Sequence, residues 1–193
     1  PRILPRYDDP GTALKILEPL KEKATRQQKQ EIACLEEHLR RIVRQLPEEC
    51  YWSLPTTVIH GDWHPVNLLF FRGKVTGIFD FDWSSRQPRL RDVGDGLLFF
   101  CSQVDQEYDA SSIASLTQPM KLDRRKVALF LRRYQERQPL NQEEQELLPV
   151  FMEGRWLFCR IDGLRKVKES QRLTFLLNGI FQPLEEIRKL RFG

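Results

Sequence analysis

The stretch HGDWHPVNLLF, His60 to Phe70, is the most informative part of this chain. Two histidines, an aspartate, a proline and an asparagine fall within its first eight residues, and apolar or β-branched runs lie on both sides. Such runs are typical of β-strands, and a polar segment between them is typical of a loop. The sequence therefore predicts a loop, rich in proton-transferring and metal-binding groups, held between two strands.

Three short segments around this loop have the composition of strands, and most of the remaining chain has helical spacing. The strand-like segments are 56–60, 67–71 and 75–81, and Gly73 predicts a hairpin turn between the last two. Asp123 and Asn141 are expected to cap two helices at their N-termini. Helices are predicted over 12–24 with a break at Pro19, 32–46, 92–103, 122–137, 141–167, and 171–190 with a kink at Pro183. The expected fold class is α+β, mostly helical, with a small β-hairpin that carries the polar loops.

Length and charge narrow the class of protein. A chain of 193 residues is long enough for one well-packed domain, and its net charge of +4 permits anionic partners such as nucleotides. No basic cluster interleaved with aromatic residues indicates a nucleic-acid partner, and no apolar run indicates a membrane span or signal peptide. Four widely spaced cysteines predict reduced, mostly buried thiols in a cytoplasmic protein: Cys34, Cys50, Cys101 and Cys159.

The oxygen-bearing residues of the loop and the hairpin suit a hard cation. Asp62 and Asn67 lie five positions apart, and Asp80 follows the last strand-like segment across the hairpin. Carboxylate and amide oxygens bind Mg²⁺, which usually keeps waters and substrate phosphates as further ligands. Asp62 follows Gly61, which allows a tight backbone path, and an aspartate so placed can accept a proton from a hydroxyl nucleophile.

These segments together resemble a known family. HGDWHPVN, then GIFDFDWSS, then RDVGD are similar to the successive motifs of the aminoglycoside phosphotransferase and choline kinase superfamily, which has a protein-kinase-like fold. The resemblance implies Asp62 as catalytic base, Asn67 and Asp80 as Mg²⁺ ligands, and ATP as co-substrate. It also implies that His60 supports the loop and that Asp92 anchors it from the next helix. The acceptor would be a hydroxyl of an amino-sugar, amino-alcohol or amino-acid-like molecule.

Several residues near the motif allow two interpretations. His60 and His64 are four apart, which on a helix would indicate a zinc pair, although Pro65 and the flanking strands favour a loop. His64 could hydrogen-bond within the loop or take part in catalysis. Asp82 could be a second carboxylate near the metal or a solvated residue, and Trp83 could pack or contact substrate. The basic residues Arg86, Arg89 and Arg91 could contact phosphate, but a basic run in a loop is usually solvated, which is the expectation here.

The resemblance also implies a nucleotide-covering N-terminal lobe, built around a sheet with a phosphate-binding lysine. The segment before Thr56 contains neither a glycine-rich turn between strands nor a strand-borne lysine. Residues 1–193 are therefore expected to be a single C-terminal lobe, with the N-terminal lobe as its partner, and to be weak or inactive as an enzyme alone. Two other functions remain open: a non-catalytic helical binding module that retains the motif, and a metal-dependent phosphohydrolase.

Overall fold

The computed structural model describes residues 8–107, 109 and 111–190. The prolines Pro1, Pro5 and Pro10 predict an extended lead-in over the first ten residues, and most of that segment lies outside these ranges. The α-helices are α1 (Pro10–Leu17), α2 (Arg26–Gln45), α3 (Glu48–Ser53), α4 (Leu90–Phe100), α5 (Ile113–Leu116), α6 (Arg124–Gln135), α7 (Gln142–Gly163), α8 (Arg172–Leu177) and α9 (Phe181–Arg188). Short 3₁₀ segments cover Glu18–Lys23, Pro65–Asn67, Leu164–Lys166 and Glu169–Gln171.

Six short strands form three antiparallel pairs within the described ranges. β1 (Thr56–Ile59) pairs with β4 (Ser85–Pro88), so that Thr56 lies opposite Pro88. β2 (Leu68–Phe71) and β3 (Lys74–Ile78) form the predicted hairpin, and β5 (Ser102–Val104) pairs with β6 (Met120–Leu122). The protein is therefore mostly helical with small antiparallel sheets, which confirms the predicted secondary-structure class.

The hydrophobic core lies where α4 and α7 pack together and α1, α2 and α9 close around them. Leu97, Leu148 and Trp156 have no exposed surface, and the Trp156 indole donates a hydrogen bond to the Ile180 carbonyl at 2.8 Å. Each fully buried large apolar side chain contributes about 1.5–3 kcal/mol to folding. This core fixes α4 and α7, the two helices that flank the predicted site loop.

Helix caps agree with the predictions from sequence. Asp123 accepts from the amides of Arg125 and Lys126, and Asn141 with Glu144 forms a reciprocal capping box at the start of α7. The 3₁₀ segment that contains Pro19 ends α1 where a break was predicted. No helix in the described ranges combines the length and apolar character needed to cross a bilayer.

Four predictions from sequence were wrong. The C-terminal helix does not kink at Pro183: it divides into α8 and α9 at Gly179, whose φ of +64° is left-handed. The segment SRQP was not expected to form strand β4. Arg89 and Arg91 are not solvated, because Arg89 forms a bidentate pair with buried Glu144 and Arg91 is buried beside Asp8. The cysteines are free, but only Cys101 is buried and Cys34 is exposed.

Candidate active site

The loop between β1 and β2 is held by an aspartate of α4. Asp92 accepts hydrogen bonds from the backbone amides of His60 at 2.7 Å and Gly61 at 2.9 Å. Gly61 has a φ of +83°, and a β-carbon there would lie 2.4 Å from the Trp83 carbonyl oxygen. Only glycine satisfies both the left-handed backbone and this close approach. The next residue, Asp62, is therefore carried on a rigid turn.

Asp62 is bound by one residue of α7 and two of its own loop. Arg155 Nη2 lies 2.6 Å from Asp62 Oδ1, and His64 Nε2 lies 3.3 Å from Oδ2. The Asn67 amide donates to the Asp62 carbonyl at 2.9 Å and to Oδ2 at 3.4 Å. Burial favours the protonated acid, but the hydrogen bond from His64 and the charge of Arg155 outweigh it, so the pKa of Asp62 lies well below its usual range. Asp62 is a carboxylate at neutral pH.

Arg155 joins Asp62 to a second carboxylate inside the protein. Its Nε lies 3.0 Å from Oδ1 of Asp95, an ion pair without the alignment of a hydrogen bond, and Asp95 is fully buried on α4. Asp95 Oδ2 also accepts from the Trp63 amide at 3.2 Å. Burial raises the pKa of Asp95 to about 6, although Arg155 and Arg91 act in the opposite direction. The three residues Asp62, Arg155 and Asp95 connect the loop with α7 and α4.

The two loop histidines have different environments. His60 Nδ1 accepts from the Asp62 amide at 3.3 Å, so its Nε2 carries the hydrogen and donates to the Phe79 carbonyl at 3.0 Å. Both ring nitrogens are thus engaged with the backbone, and neither offers a lone pair to zinc. The His64 ring packs edge-on against Phe99 with centroids 5.8 Å apart, and its Nδ1 is buried without a hydrogen-bond partner among the described residues.

Asn67 and Asp80 have oxygens that the described chain does not use. The Asn67 amide nitrogen is engaged with Asp62, which leaves its Oδ1 uncommitted. Asp80 is exposed, and its φ of +63° is rare for a residue other than glycine. A hydrogen bond of 3.2 Å from the Phe79 amide to the Asn67 carbonyl ties the end of β3 to the loop. The amide and carboxylate oxygens fit a Mg²⁺ ion that keeps other ligands.

Within the described ranges, no group of three or more His, Cys, Asp or Glu side chains is arranged to hold a metal ion. Such a group is typical of a zinc or calcium cage, whereas Mg²⁺ is commonly held by one or two carboxylates and substrate phosphates. Asp82 is exposed beside the hairpin end, and so is Trp83. Asp82 remains a prediction as a second carboxylate near the metal.

A cavity of about 200 Å³ opens beside Asp62. His64, Trp83 and Phe99 line it on the side of the loop and α4. α7 and the 3₁₀ turn after it contribute further lining residues: Arg155, Phe158, Asp162, Arg165 and Lys166. The volume is below the roughly 300–1,000 Å³ of pockets for drug-sized ligands, so it suits a molecule of a few heavy atoms.

Comparison with known proteins gives a family for this site. The model of the phosphotransferase enzyme family (APH) matches residues 2–130 of the chain. The chain belongs to the APH phosphotransferase enzyme family. The motif residues from His60 to Asp95, including the Asp62 carboxylate, all lie within the matched part.

Proteins similar to this member of the family are named homoserine kinase. The one from Rhodopseudomonas palustris (strain BisB5) is 30% identical over 143 residues, 72% of this chain and 38% of its own length. That of Chelativorans sp. (strain BNC1) is 28% identical with the same coverage, and that of Afipia carboxidovorans is 29% identical over 149 residues, 75% of this chain and 40% of its own. The chain spans about two-fifths of the length of these relatives.

The part of the site that α7 contributes is not predicted by any motif around Asp62. Arg155 lies 93 positions from Asp62, beyond the reach of any local motif. One signal was present: the run MEGRWLFCRIDG places charged residues in a stretch otherwise suited to a buried helix, and Glu153, Arg155 and Arg160 are indeed buried. Buried charges need partners, so each of them indicates a specific contact.

Proposed function

We propose that this chain is the acceptor-binding lobe of an ATP-dependent, Mg²⁺-requiring phosphotransferase that phosphorylates a hydroxyl of a small amino-bearing molecule. Of the amino-sugar, amino-alcohol and amino-acid-like acceptors, the last is preferred, with homoserine as the first candidate because the relatives carry that name. The observation that carries the proposal is the Asp62 carboxylate, ionised and fixed by two cationic or polar partners at the edge of a small cavity.

Asp62 orients the acceptor and takes its proton. The strongly lowered pKa makes the carboxylate a weak base towards a free alcohol. In a loose phosphoryl-transfer transition state the acceptor oxygen bonds late, and its proton becomes acidic only as that bond forms. The carboxylate therefore first accepts a hydrogen bond that aims the oxygen, and accepts the proton as transfer proceeds.

Asn67 and Asp80 are the residues that would hold Mg²⁺. Bound there, the ion would neutralise the charge of the nucleotide phosphates. The hydrogen bond from the Asn67 amide to Asp62 couples the position of the metal ligand to that of the base. His60 and Asp92 support the loop, in line with the contacts described above.

A second lobe is part of the proposal. Apolar side chains around the β2–β3 hairpin are unusually exposed, from 41 to 62%: Val58, Leu69, Phe70, Phe71, Val75, Ile78, Phe79 and Phe81. Contiguous apolar surface of this kind indicates a binding surface rather than a solvated face. We propose that a nucleotide-covering lobe packs there, as the family resemblance implies. A cytoplasmic location, where ATP is available and the four thiols stay reduced, belongs to the same proposal.

An ATP-dependent product assay tests the proposed function. The chain, together with the proposed nucleotide-covering lobe, is incubated with Mg²⁺, γ-labelled ATP and one acceptor at a time: homoserine, an amino-alcohol or an aminoglycoside. We expect label on homoserine that disappears with EDTA and with Asp62→Ala. Label in inorganic phosphate alone would indicate the phosphohydrolase instead. Nucleotide binding without transfer to any acceptor would favour the binding module.

A further inference from the structure

We propose that the acceptor is a zwitterion whose carboxylate binds Lys166 and whose ammonium binds Asp162, at the end of the cavity formed by α7. The inference rests on the proposed function for the identity of the acceptor hydroxyl. It adds two residues that bind the acceptor, and it separates amino acids from amino-sugars and amino-alcohols.

The charges that line the cavity do not cancel. Arg155 is engaged with Asp62 and Asp95, and Arg165 forms an ion pair with Asp162 Oδ1. Lys166 lines the same cavity, is exposed, and has no ion pair or hydrogen bond to any residue in the described part of the chain. Among the residues that line the cavity, there are three positive charges and two negative ones, a surplus of one: Arg155, Arg165 and Lys166 against Asp62 and Asp162. An anionic group on the acceptor balances it, whereas a polycationic amino-sugar would add to it.

Asp162 offers the complementary group. Arg165 contacts its Oδ1, and Oδ2 accepts no hydrogen bond within the described ranges. Asp162 and Lys166 are four residues apart at the end of α7 and the 3₁₀ turn that continues it. Both residues line the same cavity, so both can reach one bound molecule. A free amino acid carries its ammonium and its carboxylate on one carbon. Its two adjacent charges can therefore bind Asp162 and Lys166 at the same time.

The position of these charges suits the reaction. Asp62 and Lys166 both line the cavity, on the loop and on the turn after α7. A hydroxy amino acid with its charged end at the turn can direct its hydroxyl to Asp62. The apolar side chains of Trp83, Phe99 and Phe158 line the cavity around the methylene groups that join the two ends.

Binding can be measured without turnover, because the lining residues described here belong to this chain. Protein-observed NMR titrations give the Kd of three probes: homoserine, 3-aminopropan-1-ol, which lacks the carboxylate, and 4-hydroxybutanoate, which lacks the ammonium. We expect homoserine to bind about tenfold more tightly than either, the effect of one charge-assisted hydrogen bond. Lys166→Gln should remove the advantage over 3-aminopropan-1-ol, and Asp162→Asn the advantage over 4-hydroxybutanoate.

Lys168→Gln is the matched control, since Lys168 is exposed in the same segment but does not line the cavity. Equal homoserine affinity of Lys166→Gln and Lys168→Gln, or no homoserine binding by the unmodified chain, would overturn the inference. Phosphorylation assays separate the two proposals. If the expected binding pattern is observed but no phosphate is transferred, the proposed function is refuted and the proposed binding site stands. If phosphate is transferred but Lys166→Gln raises the KM for ATP and not the KM for homoserine, the proposed binding site is refuted and the proposed function stands.

Discussion

Asp62 is the residue on which the proposed chemistry depends, and its charge can be removed with little change in shape. Asp62→Asn keeps a hydrogen-bond acceptor for Arg155 but cannot take a proton from the acceptor. We expect kcat to fall by roughly 10²–10⁴-fold, with the KM for ATP nearly unchanged. Steady-state kinetics with homoserine measure both constants. Asp105→Asn, at an exposed site outside the cavity, is the control, and an unaltered kcat in Asp62→Asn would remove this residue from the mechanism.

Arg155 sets the protonation of Asp62, which gives a second prediction. Without Arg155 the burial of Asp62 is opposed chiefly by His64, so the pKa of Asp62 rises. We expect Arg155→Gln to show an acid limb in its profile of kcat against pH that the unmodified protein lacks above about pH 5.

Loss of Arg155 also leaves Asp95 buried and unpaired, at a cost of about 3–5 kcal/mol. Arg155→Lys, which keeps the charge, is therefore measured in parallel and should show a smaller shift of the acid limb. Arg133→Gln, whose arginine pairs with Glu136 on the surface, is the control. Identical pH profiles for Arg155→Lys, Arg155→Gln and the unmodified protein would contradict the coupling.

The residues of the motif could be predicted from sequence because their spacing is local. His60, Asp62 and Asn67 lie on one loop, and a single hydrogen bond between Phe79 and Asn67 ties the end of β3, next to Asp80, to that loop. Arg155, Asp162 and Lys166 could not be predicted, because they enter the site through the packing of α7 on α4. Nothing in the sequence near Asp62 indicates that packing.

At the scale of the elements, the two turns at Gly61 and Gly73 differ in one respect. Replacing a left-handed glycine costs free energy through backbone strain, and at Gly61 it also costs free energy through steric overlap. Gly61 and Gly73 both have a left-handed φ, of +83° and +72°, but a β-carbon at Gly73 would meet nothing within 4 Å. Gly73→Ala should cost about 1–2 kcal/mol of unfolding free energy for the backbone alone. Gly61→Ala should cost at least about 1 kcal/mol more, because the new methyl group overlaps the Trp83 carbonyl. Urea denaturation measures both, and equal costs would show that the overlap is relieved.

The stability that the contact between α4 and α7 contributes should depend on pH. In the folded protein the pKa of Asp95 is about 6, above its ordinary value of 3.8, so the folded state holds this proton more tightly than the unfolded state. The contribution of Asp95 to stability is therefore complete below about pH 4 and is lost as the pH rises through about 6. The unfolding free energy of the unmodified protein minus that of Asp95→Asn should fall by up to about 3 kcal/mol between about pH 4 and pH 7.5. A constant or rising difference would contradict this assignment.

Elements with strong periodicity were predicted well, and those that depend on distant partners were not. α6 follows from apolar residues at helical spacing and from its Asp123 cap. The same spacing predicts α2 over 32–46, although the helix begins earlier, at Arg26. β4 has the sequence SRQP, which contains no alternation of apolar residues, and it is a strand because β1 pairs with it. The break between α8 and α9 follows from the left-handed Gly179, where a β-carbon would lie 2.3 Å from Pro119.

At the scale of the whole molecule, the exposed apolar surface around the β2–β3 hairpin should govern association. The chain alone is expected to self-associate with rising concentration, because this surface has no cover within the described residues. Replacing Phe70 and Phe71 by Ser should lower the association. Leu129→Ser, which removes an exposed apolar side chain of α6, should have no effect. Sedimentation velocity over a range of concentrations measures the association. An unmodified chain that stays monomeric at every concentration would contradict the prediction.

The long separation between Asp62 and Arg155 has a consequence for the order in which the protein folds. Contacts between Trp63 and Asp95 close a loop of 32 residues, whereas Arg155 reaches Asp62 across 93. Shorter loops close at a lower entropic cost, so the loop is expected to dock on α4 before α7 arrives. Before α7 docks, Asp62 and Asp95 lack Arg155, the cation that bridges them in the folded protein, and their repulsion disfavours the docked loop. The docking of α7 then also brings Arg155 to Asp62 and so fixes the carboxylate that the proposed reaction uses.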